Sequence, residues 1–259
     1  MPDEKQLELA YAGWYRPTGG RFAGFGDALL RRLRGRLAGR LDRIAPPGAV
    51  LDIGAGDGAL LDALRTRGRA ATGIDRHSAH PAVRDAQIEE LQGSWAGIVF
   101  WHSLEHLPRA GDALNHAASL LERRGVLTIA IPNPDSMQAR AFGDSWFAID
   151  YPQHLVHVPA RVLLARLDAL GLVIERTSYL RGGQVVFGWL HGLVGCLPGR
   201  PDLYDAIRRP LARRRPLPPM ARMATLVAAA ALLPVAAIAA AAEAAVRRGG
   251  SLYVEARRV

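Results

Sequence analysis

Two spacings of apolar residues alternate along this chain. Between Asp27 and Ile44, leucines 29, 30, 33, 37 and 41 recur three and four apart, the period of a helix with one buried face. The arginines between them read as its solvated face, and Pro46-Pro47-Gly48 ends it. Val50 to Ile53 is then a short apolar run broken by one carboxylate, Asp52. Gly54, Gly56 and Gly58 follow at alternate positions, and Leu60, Leu61 and Leu64 return to helical spacing. Residues 70–74 form a second short run that ends at Asp75. A third strand is weakly marked and best carried by Val83 to Ile88; a fourth, Gly97 to Trp101, is clearer. Pro108 to Arg123 reads as a helix, and Gly125 to Ile131 as a fifth strand closed by Pro132. Ala160 to Leu170 is a helix stopped by Gly171, Leu172 to Tyr179 a sixth strand, and Ser251 to Ala256 the last. The alternation predicts an α/β fold: a doubly wound, seven-stranded, mostly parallel sheet with right-handed crossovers. Its last strand is expected to be antiparallel, closing a hairpin with the sixth.

Three segments interrupt that rhythm. Residues 1–48 form an N-terminal helical extension, in which the aromatic stretch Tyr11 to Pro17 either folds over a ligand or anchors the following helix. Pro132 to Pro159 is a long connection holding Trp146, Phe147, Tyr151, His154 and His157, and connections of that length are usually functional. Residues 181–248 form a helical insertion, so the sheet domain is expected over 49–180 plus 249–259. In the insertion, arginines 208, 209, 213, 214, 215 and 222 precede an uncharged run from Met223 to Ala242, and Arg247 and Arg248 follow it. That run is about long enough to cross a bilayer, but a single crossing would strand the last strand on the wrong side of the sheet. Two readings remain. One is a monotopic or re-entrant hairpin bent at Pro234, with arginines at the anionic surface. The other is an alanine-rich helix pair packed on the domain or in a dimer interface.

Composition narrows the class. Of 259 residues, 49% are hydrophobic, enough for a core rather than disorder. One cysteine, Cys196, excludes an internal disulfide and suits a reducing cytosol. The polar start Met1-Pro-Asp-Glu-Lys gives no sign of a signal peptide. A net charge of +9 raises nucleic acid as a partner. Lys5 is the only lysine, however, so the charge is almost all arginine in an alanine-rich chain. No nucleic-acid-binding motif accompanies it, and none is expected as partner.

The chemistry starts at residues 49–64. Strand, glycine turn and helix form the first unit of a nucleotide-binding sheet, where bare glycines let backbone N–H groups approach a ligand. Asp75, ending the next strand near the expected spacing of roughly 20 residues, can accept two hydrogen bonds from a ribose diol. A nicotinamide dehydrogenase would use the same parts, with Gly54, Gly56 and Ala59 forced onto its fingerprint.

The later segments separate the two. Val50 to Gly58, Asp75, Trp101-His-Ser-Leu-Glu-His-Leu107, Leu120 to Leu127 and Pro152-Gln-His-Leu-Val-His157 together resemble the class I S-adenosylmethionine-dependent methyltransferases, in particular their small-molecule, ubiquinone-type branch. The resemblance implies a Rossmann-like methyltransferase fold and S-adenosyl-L-methionine as cofactor. It implies that Asp52, Gly54, Ala55, Gly56 and Gly58 line its methionine and ribose part, and that Asp75 holds the ribose hydroxyls. Asp85 and Ala86 then meet the adenine edge, and Trp101 and His102 border the methionine end. Ala55 departs from the cysteine that is common in the family, a harmless exchange.

Methyl transfer from a sulfonium is an in-line displacement that mainly needs alignment and exclusion of water. With a hydroxyl acceptor, a base assists, and imidazole titrates in the right range. His154 is the first candidate, followed by His102 and His157. His102-Ser-Leu-Glu-His106 also matches a zinc-protease pattern. It lacks an evident third ligand and meets Pro108 too soon for a helix, so no metal is expected. The expected protein is therefore a cytoplasmic methyltransferase of a small-molecule or lipid-linked acceptor, with oxygen favoured by family habit. Peripheral membrane contact through 208–248, at the inner face, and a homodimer are its expected associations. The non-enzyme alternative is a cofactor-binding scaffold on a membrane.

Overall fold

The computed structural model describes residues 6, 22–24, 26–76, 78–180 and 183–259. The stretch Tyr11 to Pro17 lies outside them. In chain order the regular elements are α1 (Gly26–Ile44), β1 (Val50–Ile53), α2 (Ala59–Arg65), β2 (Ala71–Ile74), β3 (Val83–Arg84) and β4 (Trp95–Trp101). They continue with α3 (Ala110–Leu120), β5 (Leu121–Pro132), α4 (Met137–Phe142), α5 (Ala160–Ala169) and β6 (Leu172–Ser178). Last come α6 (Gln184–Gly195), α7 (Leu203–Ile207), α8 (Pro219–Ala245) and β7 (Ser251–Arg258).

The chain divides into two compact units. A sheet unit takes Leu30–Pro132, Val156–Ser178 and Leu252–Val259; a helical unit takes the described residues up to Leu29, Asn133–Leu155 and Tyr179–Ser251. These are not the segments expected from sequence. Most of α1 joins the sheet, and the connection after β5 joins the insertion.

The sheet has seven strands in the order β3-β2-β1-β4-β5-β7-β6. β1 pairs in parallel with both β2 and β4, and β7 runs antiparallel to β6. The chain therefore winds outward from β1 to β3 and returns on the other side of β1 at β4. Such a reversal opens a crevice at the carboxyl ends of the strands. Ile53 is level with Ile74 and Phe100, so Gly54, Asp75 and Trp101 emerge at one edge. β1 is buried throughout, as expected of a strand covered on both faces. Leu37 and Leu41 of α1, Leu60, Leu61 and Leu64 of α2, and Val50 and Val99 of the sheet form one core cluster.

Arginines fasten the sheet unit. Arg69 donates to the carbonyls of Asp42 and Ala45, which the end of α1 leaves unpaired, and also to those of Pro46 and Gly48. Arg40 forks onto the buried carboxylate of Glu255 at 2.9 and 2.6 Å. The arginines of α1 are thus not merely its solvated face. Conversely Leu29 and Leu30, expected to be buried, are 47% and 43% exposed.

Other expectations need correction. β3 is two residues long, and the buried Ile88 instead opens a 3-10 turn, Ile88–Glu90. The helix expected to reach Arg123 stops at Leu120, and β5 begins at Leu121. Leu121 pairs with Trp95, and a register shift at Arg124, held at φ 65°, admits the extra residues before Val126 meets Gly97. β7 extends to Arg258, two residues beyond the expected end.

In the helical unit the connection after β5 is structured. It forms α4 and two 3-10 turns, Gly143–Ser145 and Phe147–Ile149. Its anchor is Glu243 near the end of α8, fully buried. That carboxylate accepts from the Gln138 backbone (3.1 Å), the Gln138 side chain (2.7 Å) and the Gly250 N–H (2.8 Å). The Trp146 indole donates in turn to Gln138 Oε1. Two glycines make room: a Cβ on Gly188 or Gly250 would stand 1.9 or 2.2 Å from the Gln138 amide. α8 runs unbroken through Pro234, so no hairpin bends there. Pro234 and Ala230, whose carbonyl loses its helical partner, are both exposed, where water can satisfy the oxygen. One face of α8 packs on α6 and α7, with Val194, Leu203 and Ala229 at the centre.

Candidate active site

The site grows from the turn after β1. Gly54, Gly56 and Gly58 all have positive φ, at 81, 62 and 75°. A Cβ on Gly54 would strike Ser103 at 2.3 Å, and one on Gly58 the His80 ring at 2.4 Å. At Gly56 a Cβ would meet nothing within 4 Å, so this glycine borders open space. Its N–H donates to Asp75 Oδ2 at 2.7 Å, and its carbonyl accepts from Ser78 at 2.7 Å. The acid at the end of β2 therefore holds the loop as well as facing the crevice edge. Ser103 ties the end of β4 to the same turn by donating to the Ile53 carbonyl.

Asp52, at 4% exposure, has an Oδ1 with no hydrogen-bond partner among the described residues. Burial pushes its carboxyl up to about 7, against the attraction of Arg34; Asp75 and Asp57 push the same way as burial. Arg34, from α1, stands 5.3 Å over the Trp101 ring. A buried, under-solvated carboxylate beneath a glycine turn is prepared for a cationic ligand.

His102 follows β4 in the left-handed region, φ 52°, unusual for a residue with a Cβ. Its N–H donates to the Ala130 carbonyl at 2.8 Å, and its Nδ1 lies 3.4 Å from Oε1 of Glu105, whose side chain is 3% exposed. A buried carboxylate at this distance favours the protonated imidazole by its charge. The segment Leu104–His106 makes a single 3-10 turn, not the α-helix a zinc-protease pattern needs. His157 is half-buried in the sheet unit. His154 belongs to the helical unit, where its Nδ1 is 2.7 Å from the Ala148 carbonyl, a backbone link within its own loop. Asp85 and Ala86 follow β3, and Asp75 donates its N–H to Arg84 beside them; Asp85 is exposed and Ala86 half-buried.

Residues 22–177, more than half of the chain, match the model of a family described as a methyltransferase domain. The chain belongs to that family. Its methyl donor is S-adenosylmethionine, which sets the nicotinamide reading aside. No curated protein matches the methyltransferase in sequence. Among solved structures it resembles magnesium protoporphyrin IX methyltransferase from Synechocystis PCC 6803 with bound SAH, at 18% identity, 67% of this chain and 90% of that one, with a TM-score of 0.50. A SAM-dependent methyltransferase from Archaeoglobus fulgidus shares 16% identity over 90% of this chain and all of the other, TM-score 0.51. The [4+2]-cyclase SpnF shares 18% over 98% and 91%, TM-score 0.50. These likenesses show a shared fold.

The residues of this methyltransferase fit the cofactor. Gly56 leaves open space where the backbone must approach it, and the orphaned Asp52 oxygen offers a carboxylate to a ligand with a sulfonium and an ammonium group. Sequence reasoning missed Arg34, Ser78, Ser103 and Glu105. Nothing distinguishes Arg34 among the arginines of α1. Glu105 left a faint signal, an acid enclosed by Leu104 and Leu107 in a segment too short for a solvated helix.

Proposed function

We propose that this S-adenosylmethionine-dependent methyltransferase acts on a hydroxyl oxygen of a small-molecule or lipid-linked acceptor, with His102 as the base. The observation that carries the reading is His102 held in a strained backbone beside buried Glu105, next to the Ser103 that buttresses the glycine turn. When bound, the cofactor supplies an electrophilic methyl carbon. Asp52 and the turn at Gly54–Gly58 hold its methionine end, and Asp75 its ribose. Asp85 and Ala86 border the adenine, and Trp101 closes the side toward β4. His102 takes the acceptor proton, and Glu105 stabilises the imidazolium that results. His154 Nδ1 is engaged by the Ala148 carbonyl of its own loop, which ranks it below His102 as the base.

The partners follow the same reading. The chain works in the cytosol and touches the inner face of a membrane through residues 208–248, or pairs with a second copy there. Support comes from α8, whose 18-residue window has a mean hydropathy of 2.2 with only 22% buried, and from the arginines on both sides of it. The test is SAH formation against a panel of phenols, amines and carboxylic acids, each with and without an isoprenoid tail. Turnover of phenols that His102→Ala lowers by about 10²–10⁴-fold supports the proposal. Turnover confined to amines, or unchanged in the variant, sinks it.

A further inference from the structure

α8 has two apolar faces, and among the described residues only one of them is covered. Thr225, Ala229, Ala236 and Ala240 are buried against the helical unit. On the opposite side Met220 is 84% exposed, Met223 62%, Val227 61% and Ile238 71%. A helix on an ordinary protein surface carries charge there; this one carries none between Met223 and Ala242. Toward its C-terminal end, Ile238, Ala242 and Val246 recur at four-residue spacing, all exposed. Val246 is also a wall of a cavity of about 540 Å³, whose other walls are Met137, Arg140 and Arg248.

That cavity is lined by two arginines and two apolar side chains, with a mostly apolar surface and no carboxylate residue in its lining; both arginines are exposed, so their charged heads reach solvent at its rim. Neither Arg140 nor Arg248 forms an ion pair among the described residues. Its walls are held in place. Met137 donates its N–H to the Arg248 carbonyl at 3.1 Å, Arg248 its N–H to the Glu243 carbonyl at 2.8 Å, and the buried Glu243 carboxylate grips Gln138 and Gly250 on either side. Arg247, beside it, is exposed too. Paired cations at the end of an apolar ridge complement an anionic amphiphile whose tail lies along the ridge. They do not suit a second copy of this chain, which carries a charge of +9 and would bring further arginines to the same place.

We infer that α8 lies in the plane of an anionic bilayer, outer face down, and that Arg140 and Arg248 grip a lipid phosphate at the rim of this cavity. The inference rests on the membrane reading above and adds the headgroup site. Connectivity argues against a crossing helix: β6 and β7 are hydrogen-bonded neighbours on one side, and among the described residues α8 is the one helix long and apolar enough to cross, so nothing would bring the chain back.

Flotation of the full chain with phosphatidylcholine vesicles, with or without phosphatidylglycerol, tests it. The variants are Arg140→Gln/Arg248→Gln, a charge-matched control Arg31→Gln/Arg161→Gln, and Ile238→Asp; affinity for S-adenosylmethionine reports that each is folded. The proposal expects binding to phosphatidylglycerol vesicles that falls about tenfold or more in the cavity variant and no more than about threefold in the control. It also expects loss of binding in Ile238→Asp. Binding that survives the cavity variant leaves the peripheral reading standing and overturns the headgroup site. No recovery with any vesicle overturns both. Competition by millimolar inorganic phosphate, or self-association abolished by Ile238→Asp without vesicle binding, would reassign the surface to a soluble anion or to a second copy, and would equally overturn the inference.

Discussion

At the scale of single residues, Asp52 carries the sharpest consequence. Its carboxyl is raised, so between about pH 4 and about pH 7 the folded protein binds more protons there than the unfolded chain does. Stability falls as pH rises through that window. Asp52→Asn is expected to raise the unfolding midpoint by about 5 °C at pH 8 and to leave it unchanged at pH 4, by calorimetry without cofactor. The same charge should favour a cationic ligand. Wild-type affinity for S-adenosylmethionine is therefore expected to rise from pH 6 to pH 8, and the Asn variant to bind weakly with a flat profile. Asp75→Ala removes the bond to the Gly56 N–H and, on the reading proposed above, the ribose acceptor. Titration calorimetry should show a loss of tenfold or more, and unchanged affinity would contradict the site. Glu105→Gln keeps the shape of the side chain but not its charge. It should lower kcat about tenfold and move the pH profile of kcat while leaving KM for the cofactor alone; a purely structural role would not move the profile.

Among the elements, the two kinds of glycine should separate cleanly. Gly188 on α6 is required by packing, since its Cβ would collide with Gln138. Gly188→Ala is expected to cost about 1–3 kcal/mol in denaturant unfolding, with cofactor affinity per folded molecule unchanged. Gly56→Ala meets no neighbour but must hold φ 62°, so it should cost only about 1 kcal/mol of stability while weakening cofactor binding far more. β5 and α8 show why element boundaries were harder to read than element types. The end of α3 was hidden because the first turn of β5 is made by Arg124 in a left-handed conformation, which no local pattern announces. Pro234 looked like a bend, but a proline on the exposed side of a helix leaves its free carbonyl to water and the helix continues.

For the whole molecule, the α/β class, the strand sequence and the glycine turn were legible in the chain, because each depends on neighbours close in sequence: apolar periods, positive-φ glycines, and an acid at a strand end. The carry-over of Asp52, Gly54–Gly58 and Asp75 onto one crevice edge follows from parallel pairing in register, which those patterns imply. Tertiary structure alone decided the rest. It set His102 beside the buried Glu105 carboxylate, laid Arg34 over Trp101 from a helix whose arginines look alike, and gave the segment after β5 to the helical unit through Glu243. It also left one face of α8 bare. Each of these depends on groups far apart along the chain, whose burial and charge are settled only when each unit packs.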